Sequence, residues 1–350
     1  MERGIGELAR LDSSLDIPCQ IISNTARMNR TAILSLALAC SLSGGAAFAQ
    51  EAAAPAPAVQ KKNFEFKGGD RLVLIGNTVI EREQRYATFE PRLALALGET
   101  KITVRNLAWS GDTVYGHARS YFGPPEEGLQ RMAAHLELLK PTVVLLCYGS
   151  EMAFEGLQDL PRFLTGYRNL LGLIRKQSPG VRIIIASPPP LETLPPPLPD
   201  QTDANKDLSS FRDALRKFAG SQNTFFVDWF ELMGGIPKPG QTAKPLTENG
   251  VHYTREGYEK LSAMLVKGLG LTAPPIASAE LAPLQREVLK KDELFFNRWR
   301  PQNETYLFGF RKHEQGQNAR EIPMFDPLID QADAKIQEIK AGLLASKKTL

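Results

Sequence analysis

Cysteine is nearly missing from this chain, with three in 350 residues. Cys19 and Cys40 fall in an N-terminal region whose pattern, described below, predicts removal, which leaves Cys147 alone. A single thiol cannot close an internal disulfide. Cys147 ends the apolar run Val143–Cys147, where a small buried hydrophobe is the expected role. Histidine is also sparse, at four residues, and no His/Cys/Asp/Glu cluster has metal-ligand spacing, so no structural metal is expected. Neither common Gly-rich phosphate-loop pattern occurs, and no cofactor is expected. Excess charge of one sign is absent too. The 42 basic and 39 acidic residues leave +3 without any Lys/Arg block, which argues against a nucleic-acid partner. The apolar stretch Thr31 to Leu42 is too short to span a bilayer as a mature helix, so no membrane span is expected.

What is present is ordinary globular material, 43% hydrophobic and 23% charged, in a length that suits one large domain with appendages. Met28-Asn29-Arg30, the apolar Thr31 to Leu42 and the small-x-small Ala47-Phe48-Ala49 make residues 28–49 a signal peptide by pattern. Residues 1–27 lack that pattern and read as a mis-annotated start. The expected location is therefore exported, periplasmic or extracellular. A lipid-attachment site at Leu38-Ala39-Cys40 is the rival reading, disfavoured because Ala37 stands where such sites prefer Leu. Residues 50–66, rich in Ala and Pro up to Lys62, read as a flexible linker.

Five short apolar runs follow: Leu72 to Ile75, Ile102 to Val104, Val143 to Cys147, Ile183 to Ala186 and Phe225 to Val227. Each is too short for a helix and nearly continuous in apolar character, as parallel strands covered on both faces should be. Between them, Leu129, Met132, Leu136 and Leu139 recur at helical spacing, as do Phe163, Tyr167, Leu170 and Ile174, then Leu208, Phe211, Leu215 and Phe218. Pro91 suits a helix first turn with Gly98 as its stop, and Thr254 suits an N-cap. The alternation predicts an α/β fold over residues 67–270, a flavodoxin-like doubly wound five-stranded parallel sheet. Ligands of such sheets sit beyond the C-terminal strand ends. The spans Ser187 to Pro199 and Gly234 to Pro245 read as long surface loops walling a cleft. Residues 271–350 form a helical and irregular C-terminal extension, too thin in apolar content for an independent core.

The chemistry-bearing residues lie in those post-strand loops. Gly76-Asn77-Thr78 follows the first strand, and Asn106-Leu107-Ala108-Trp109-Ser110-Gly111-Asp112-Thr113 the second. Gly149-Ser150-Glu151 follows the third, and Asn249-Gly250-Val251-His252 precedes the last core helix. In order and spacing these blocks resemble those of the SGNH (GDSL-like) hydrolases, which carry Gly-Asp-Ser, a close counterpart of the second block, Gly-x-Asn and Asp-x-x-His. The tail from Arg300 to Arg311, continuing through Glu321 to Pro327, resembles the extension of an exported bacterial subset whose Gly-Asp-Ser block also varies.

The resemblance implies a hydroxyl nucleophile at Thr78, a histidine base at His252 and oxyanion donors from the Thr78 and Gly111 N–H groups. Asn249, or else its neighbour Glu248, would orient the imidazole. Thr78 carries a methyl that crowds attack. Glu151 replaces a donating amide, and could donate only if burial kept it protonated. Asn249 cannot stabilise an imidazolium as a carboxylate does. Asn77, Asp112, Ser150 and Glu248 are the expected substrate-facing side chains. His117 could edge the cleft, His135 reads as a solvated helix face and Asp228 as a capping carboxylate. The function implied is an exported ester hydrolase taking a small acyl-ester or glycan substrate, acetylated polysaccharide foremost. The alternative is an inactive glycan- or protein-binding module, and Trp299, Tyr306, Phe308 and Phe310 leave open either a protein partner on the extension or aromatic anchors onto the core.

Overall fold

A computed structural model of the chain describes residues 63–236 and 244–348. The segments 1–27 and 28–49, Cys40, most of the 50–66 linker and the middle of the Gly234–Pro245 span lie outside the described residues. The strands are β1 (Asp70–Gly76), β2 (Ile102–Asn106), β3 (Val143–Cys147), β4 (Arg182–Ala186) and β5 (Phe225–Val227). They form one all-parallel sheet in the order β2-β1-β3-β4-β5. The five apolar runs are thus the five strands, extended by a residue or two where polar ends still pair.

Alternation within each strand explains why these runs look unbroken. Val73, Ile75, Val144, Leu146, Ile183 and Ile185 enter one apolar cluster. Their neighbours Leu72, Leu74, Val143, Leu145, Cys147 and Ile184 enter another on the opposite face. With both faces covered, a period of two leaves no polar positions. Between β1 and β2 run α1 (Thr78–Glu81) and α2 (Phe89–Ala96). Pro91 lies in the first turn of α2, and Leu97 and the left-handed Gly98 end it. Next come α3 (Glu126–Leu139), α4 (Ser150–Ala153), α5 (Leu160–Gln177), α6 (Thr202–Ser221), α7 (Trp229–Leu232) and α8 (Arg255–Gly268). The apolar stripes of α3, α5 and α6 fill the first cluster, while α2 and α8 cover the second. Thr254 caps α8 by accepting the Gly257 N–H, and Asp228 caps α7 by accepting that of Glu231.

The extension is α9 (Ser278–Trp299), the short α10 (Glu304–Leu307) and α11 (Lys312–Gln315), a 3-10 stretch Gly316–Phe325, and α12 (Asp326–Lys348). It covers the open edge of β2. Lys291 donates to the Val104 carbonyl at 3.1 Å, Gln337 to that of Ile102 at 3.3 Å, and Lys340 to that of Thr100 at 2.7 Å. An unpaired strand edge invites association with other chains, and side-chain donors on its carbonyls suppress that. Lys291 is fully buried and paired with Glu90 and Asp292, and Arg105 of β2 pairs with Asp333 of α12. Burial raises the Glu90 and Asp292 carboxyls despite the Lys291 charge beside them.

Removing one member of a buried ion pair strands the other. Lys291→Met should therefore lower the unfolding free energy by about 3–5 kcal/mol, read by urea denaturation. Adding Glu90→Gln should recover part of that loss. A change below about 1 kcal/mol, the scale of an exposed pair, would show that the network is not held as described.

Candidate active site

Strand register brings the loops together. Gly76, the last residue of β1, lies opposite Cys147 of β3, and Leu74 opposite Asn106 of β2. The loop after β2 continues the pairing, with Leu107 N–H on the Leu74 carbonyl at 2.8 Å and Trp109 N–H on that of Gly76 at 3.0 Å. A Cβ on Gly76 would come within 2.5 Å of the Cys147 carbonyl oxygen, so only glycine allows this approach. Asn77 then caps α1, and Thr78 stands at its first position. Buried Asn106 ties the second loop to α1 by donating to the Ile80 carbonyl at 2.7 Å.

The converged loops bound a cavity of about 170 Å³ whose lining includes Asn77, Thr78, Gly111, Ser150, Glu151 and His252, with Arg82 and Phe154. A larger hollow, about 620 Å³, lies against Arg182 and Phe225 at the starts of β4 and β5. It holds no histidine and lies at the wrong ends of the strands, so the smaller one is the candidate site. Among the described residues, no group of three or more His, Cys, Asp or Glu could hold a metal ion. No described helix is long and apolar enough to cross a membrane.

The Thr78 hydroxyl accepts the Gly111 N–H at 3.1 Å. Gly111 adopts a left-handed conformation, φ 73°, which aims that N–H back at α1. Among the described residues the hydroxyl makes no hydrogen bond to His252. The His252 ring faces Asn249, whose Nδ2 lies 3.2 Å from Nδ1. The Asn249 orientation follows from its other end, since Oδ1 accepts the backbone N–H groups of Val251 at 3.1 Å and His252 at 2.9 Å. The amide nitrogen must then donate to a bare Nδ1 lone pair, which places the proton of neutral imidazole on Nε2. Burial chiefly, then the Arg82 charge, hold the His252 pKa below its ordinary value. The ring is therefore neutral at pH 7, but in the tautomer opposite to that of a carboxylate-oriented histidine.

Glu151 accepts a hydrogen bond from Asn77 Nδ2 and from the Gly149 N–H, which lies 3.2 and 3.3 Å from its two oxygens. Burial pushes its carboxyl up to about 7 against these donors. A substantial fraction is protonated at neutral pH and able to donate into the cavity. Where the family carries Asp after the first strand and Asn after the third, this chain has Asn77 and Glu151. Amide and carboxylate have exchanged positions, and they bond to each other.

Several expected placements need correction. Asp112 does not face substrate, because it is fully buried, pairs with Arg119 at 2.6 Å and accepts from the Tyr148 hydroxyl at 2.9 Å. Glu248 does not reach the His252 ring or line the cavity; its half-exposed side chain pairs with Arg82 at 3.2 Å. His117 bonds Thr113 and stays outside the lining. His135 is no solvated face, since Trp299 covers it edge-on and burial lowers its pKa to about 4. The first half of the Ser187–Pro199 loop is buried, with Pro189 and Leu191 reaching the cavity. Of the tail aromatics, Trp299 is buried, but Phe308 and Phe310 are exposed.

Three acidic or basic residues were not anticipated. Glu192 is buried and accepts the Leu246 and Thr247 N–H groups, and its own N–H donates to the Gly250 carbonyl at 2.9 Å. It thereby shapes the loop that carries His252. Arg82 lines the cavity, and Glu81 joins α1 to the Ser110 N–H. Their only sequence signal is position near strand ends.

A hydroxyl, a histidine and the Gly111 N–H at the C-terminal rim of a five-stranded parallel sheet match the SGNH hydrolase fold. The model of the GDSL-like lipase/acylhydrolase family matches residues 69–260, more than half of the chain, and the protein belongs to that family. Among solved structures it is similar to a gut microbial diltiazem-metabolizing enzyme, at 13% identity and TM-score 0.55, over 80% of this chain and 97% of that one. It is also similar to an acetylxylan esterase from Geobacillus stearothermophilus, at 17% identity and TM-score 0.46, over 61% of this chain and all of that one (100%). At 13% identity the first of these speaks to the fold alone. No curated protein matches the sequence significantly.

The tautomer can be observed directly. In ¹⁵N-labelled protein at pH 8, His252 should show a protonated Nε2 and a bare Nδ1. Asn249→Asp should move the proton to Nδ1. A wild-type ring already protonated at Nδ1 would refute the Asn249 geometry.

Proposed function

We propose that this chain is an exported ester hydrolase that removes small acyl groups, acetyl foremost, from polysaccharide or a related hydroxylated substrate. The observation that carries the reading is the cavity shared by Thr78, Gly111 and His252. Its volume, about 170 Å³, suits a short acyl chain. Export rests on the signal-peptide pattern of residues 28–49.

In the proposed reaction Thr78 Oγ1 leaves its bond to Gly111 and attacks the ester carbon. His252 Nε2 takes the hydroxyl proton, and the tetrahedral oxyanion is held by the Thr78 and Gly111 N–H groups and by protonated Glu151. Collapse breaks the ester C–O bond, and the imidazolium returns the proton to the departing alcohol. Water then attacks the acyl-threonine by the same route, releasing the carboxylic acid. His252 must first carry its proton on Nδ1, so the resting tautomer restrains the rate. That same feature favours a second reading, a cleft that binds a glycan or a protein segment without turning it over.

Thr78→Ala should reduce hydrolysis of an aryl acetate by about 10⁴-fold or more, measured by initial rates on purified protein. Equal rates for parent and variant would end the claim. Turnover needs neutral His252 and protonated Glu151, so activity rises with pH through the lowered His252 pKa and falls above about 7 as Glu151 ionises. Glu151→Gln keeps a donor that cannot ionise. It should abolish the alkaline limb and exceed the parent about tenfold at pH 8, one unit above that pKa. A parent kcat/KM profile flat from pH 6 to 9 would exclude the role assigned to Glu151.

A further inference from the structure

Two elements of the proposed site meet through Glu81. It ends α1, the helix that begins at Thr78, and its Oε2 accepts the N–H of Ser110, the residue before Gly111. Its other oxygen, Oε1, accepts from Arg300 Nη1 at 2.9 Å, a residue of the extension immediately after α9. The same guanidinium lies on the face of Trp109, its Cζ 3.6 Å from the ring centroid. Trp299 meets Trp109 edge-on at 5.7 Å, and Tyr121 does so at 5.4 Å. Trp109 is consequently buried although it belongs to a loop. One side chain from residue 300 thus grips residues 109 and 110 at once, by ion pair through Glu81 and by stacking.

We propose that Arg300 is a positioning residue for acyl transfer, holding the Trp109–Gly111 segment so that the Gly111 N–H points at the reacting oxygen. This rests on the ester-hydrolase reading of the site. Gly111 is left-handed and, among the described residues, its loop has no strand partner beyond Trp109. Buried Asp112, paired with Arg119, fixes it from one side, and its aim depends on what fixes the two preceding residues on the other. The extension is then part of the catalytic unit as well as a cover for β2. Lysine would keep the charge toward Glu81 but lose the flat face over Trp109.

The test combines amide hydrogen exchange over residues 107–112 with steady-state kinetics on the full mature chain, for parent, Arg300→Ala and Arg300→Lys. Arg300→Ala should speed exchange at 109–112 about tenfold and cut kcat about 10- to 100-fold, with KM changed less than about threefold. Arg300→Lys should fall between, which also serves if the alanine variant folds poorly. Unchanged exchange would overturn the clamp, and faster exchange with unchanged kcat would overturn its catalytic part. If the parent hydrolyses no ester, the reading of the site fails, while exchange still decides whether Arg300 holds the loop.

Discussion

The site depends on the parallel pairing of β1 with β2 continuing three residues beyond the end of β2, to Trp109. The Leu107 and Trp109 N–H groups follow the Leu74 and Gly76 carbonyls, and this lays the second loop against the start of α1. Without it the Gly111 N–H and the Thr78 hydroxyl would belong to separate loops. The close passage of Gly76 by Cys147 does the same for β3, bringing Glu151 to the Asn77 amide. Three strand ends in register therefore create the cavity, and the His252 loop, shaped by Glu192 of the loop after β4, completes its lining.

Within that frame, the chain differs from its family's pattern in proton placement rather than in architecture. Asn249 directs its amide nitrogen at the histidine because both adjacent backbone N–H groups claim its oxygen. With amide and carboxylate exchanged between positions 77 and 151, the two side chains bond each other, and burial makes the protonation of Glu151 depend on pH near neutrality. Asn77 and Asn249 match aspartate in shape, Glu151 is one methylene longer than asparagine, and all three changes alter the charge. Electrostatic preorganisation dominates acyl transfer, so under the proposed reaction such changes alter rate and pH range before they alter binding.

The extension packs α9 on α12 around a small apolar cluster and is fixed to the sheet by further contacts. It supplies donors to the exposed carbonyls of β2, a buried cation to Glu90, and the Trp299–Arg300 pair to the second loop. These polar and aromatic contacts join an apolar one: Leu281, Leu284 and Val288 recur at helical spacing along α9 and, with Ile336 of α12, pack against Ala87 and Leu95. Phe308 and Phe310 stay exposed, so among the tail aromatics the anchoring falls to Trp299.

Much of the architecture was legible in the amino-acid order. Strands buried on both faces must be continuous in apolar residues, and helices beside them must show a stripe, so Val143–Cys147 and the Phe163–Ile174 pattern announced themselves by local physics. The four blocks were legible as well, because glycine and hydroxyl or histidine residues at strand ends stand out by type. Tertiary structure alone decided the direction of side chains. Asp112 turned inward because Arg119 and Tyr148 wait beneath it, Glu248 turned to Arg82, and His135 lost its solvent to Trp299. A side chain's charge and reach are written in the sequence, but its partner is set by segments from 7 to 166 residues away, and only folding brings those within hydrogen-bond distance.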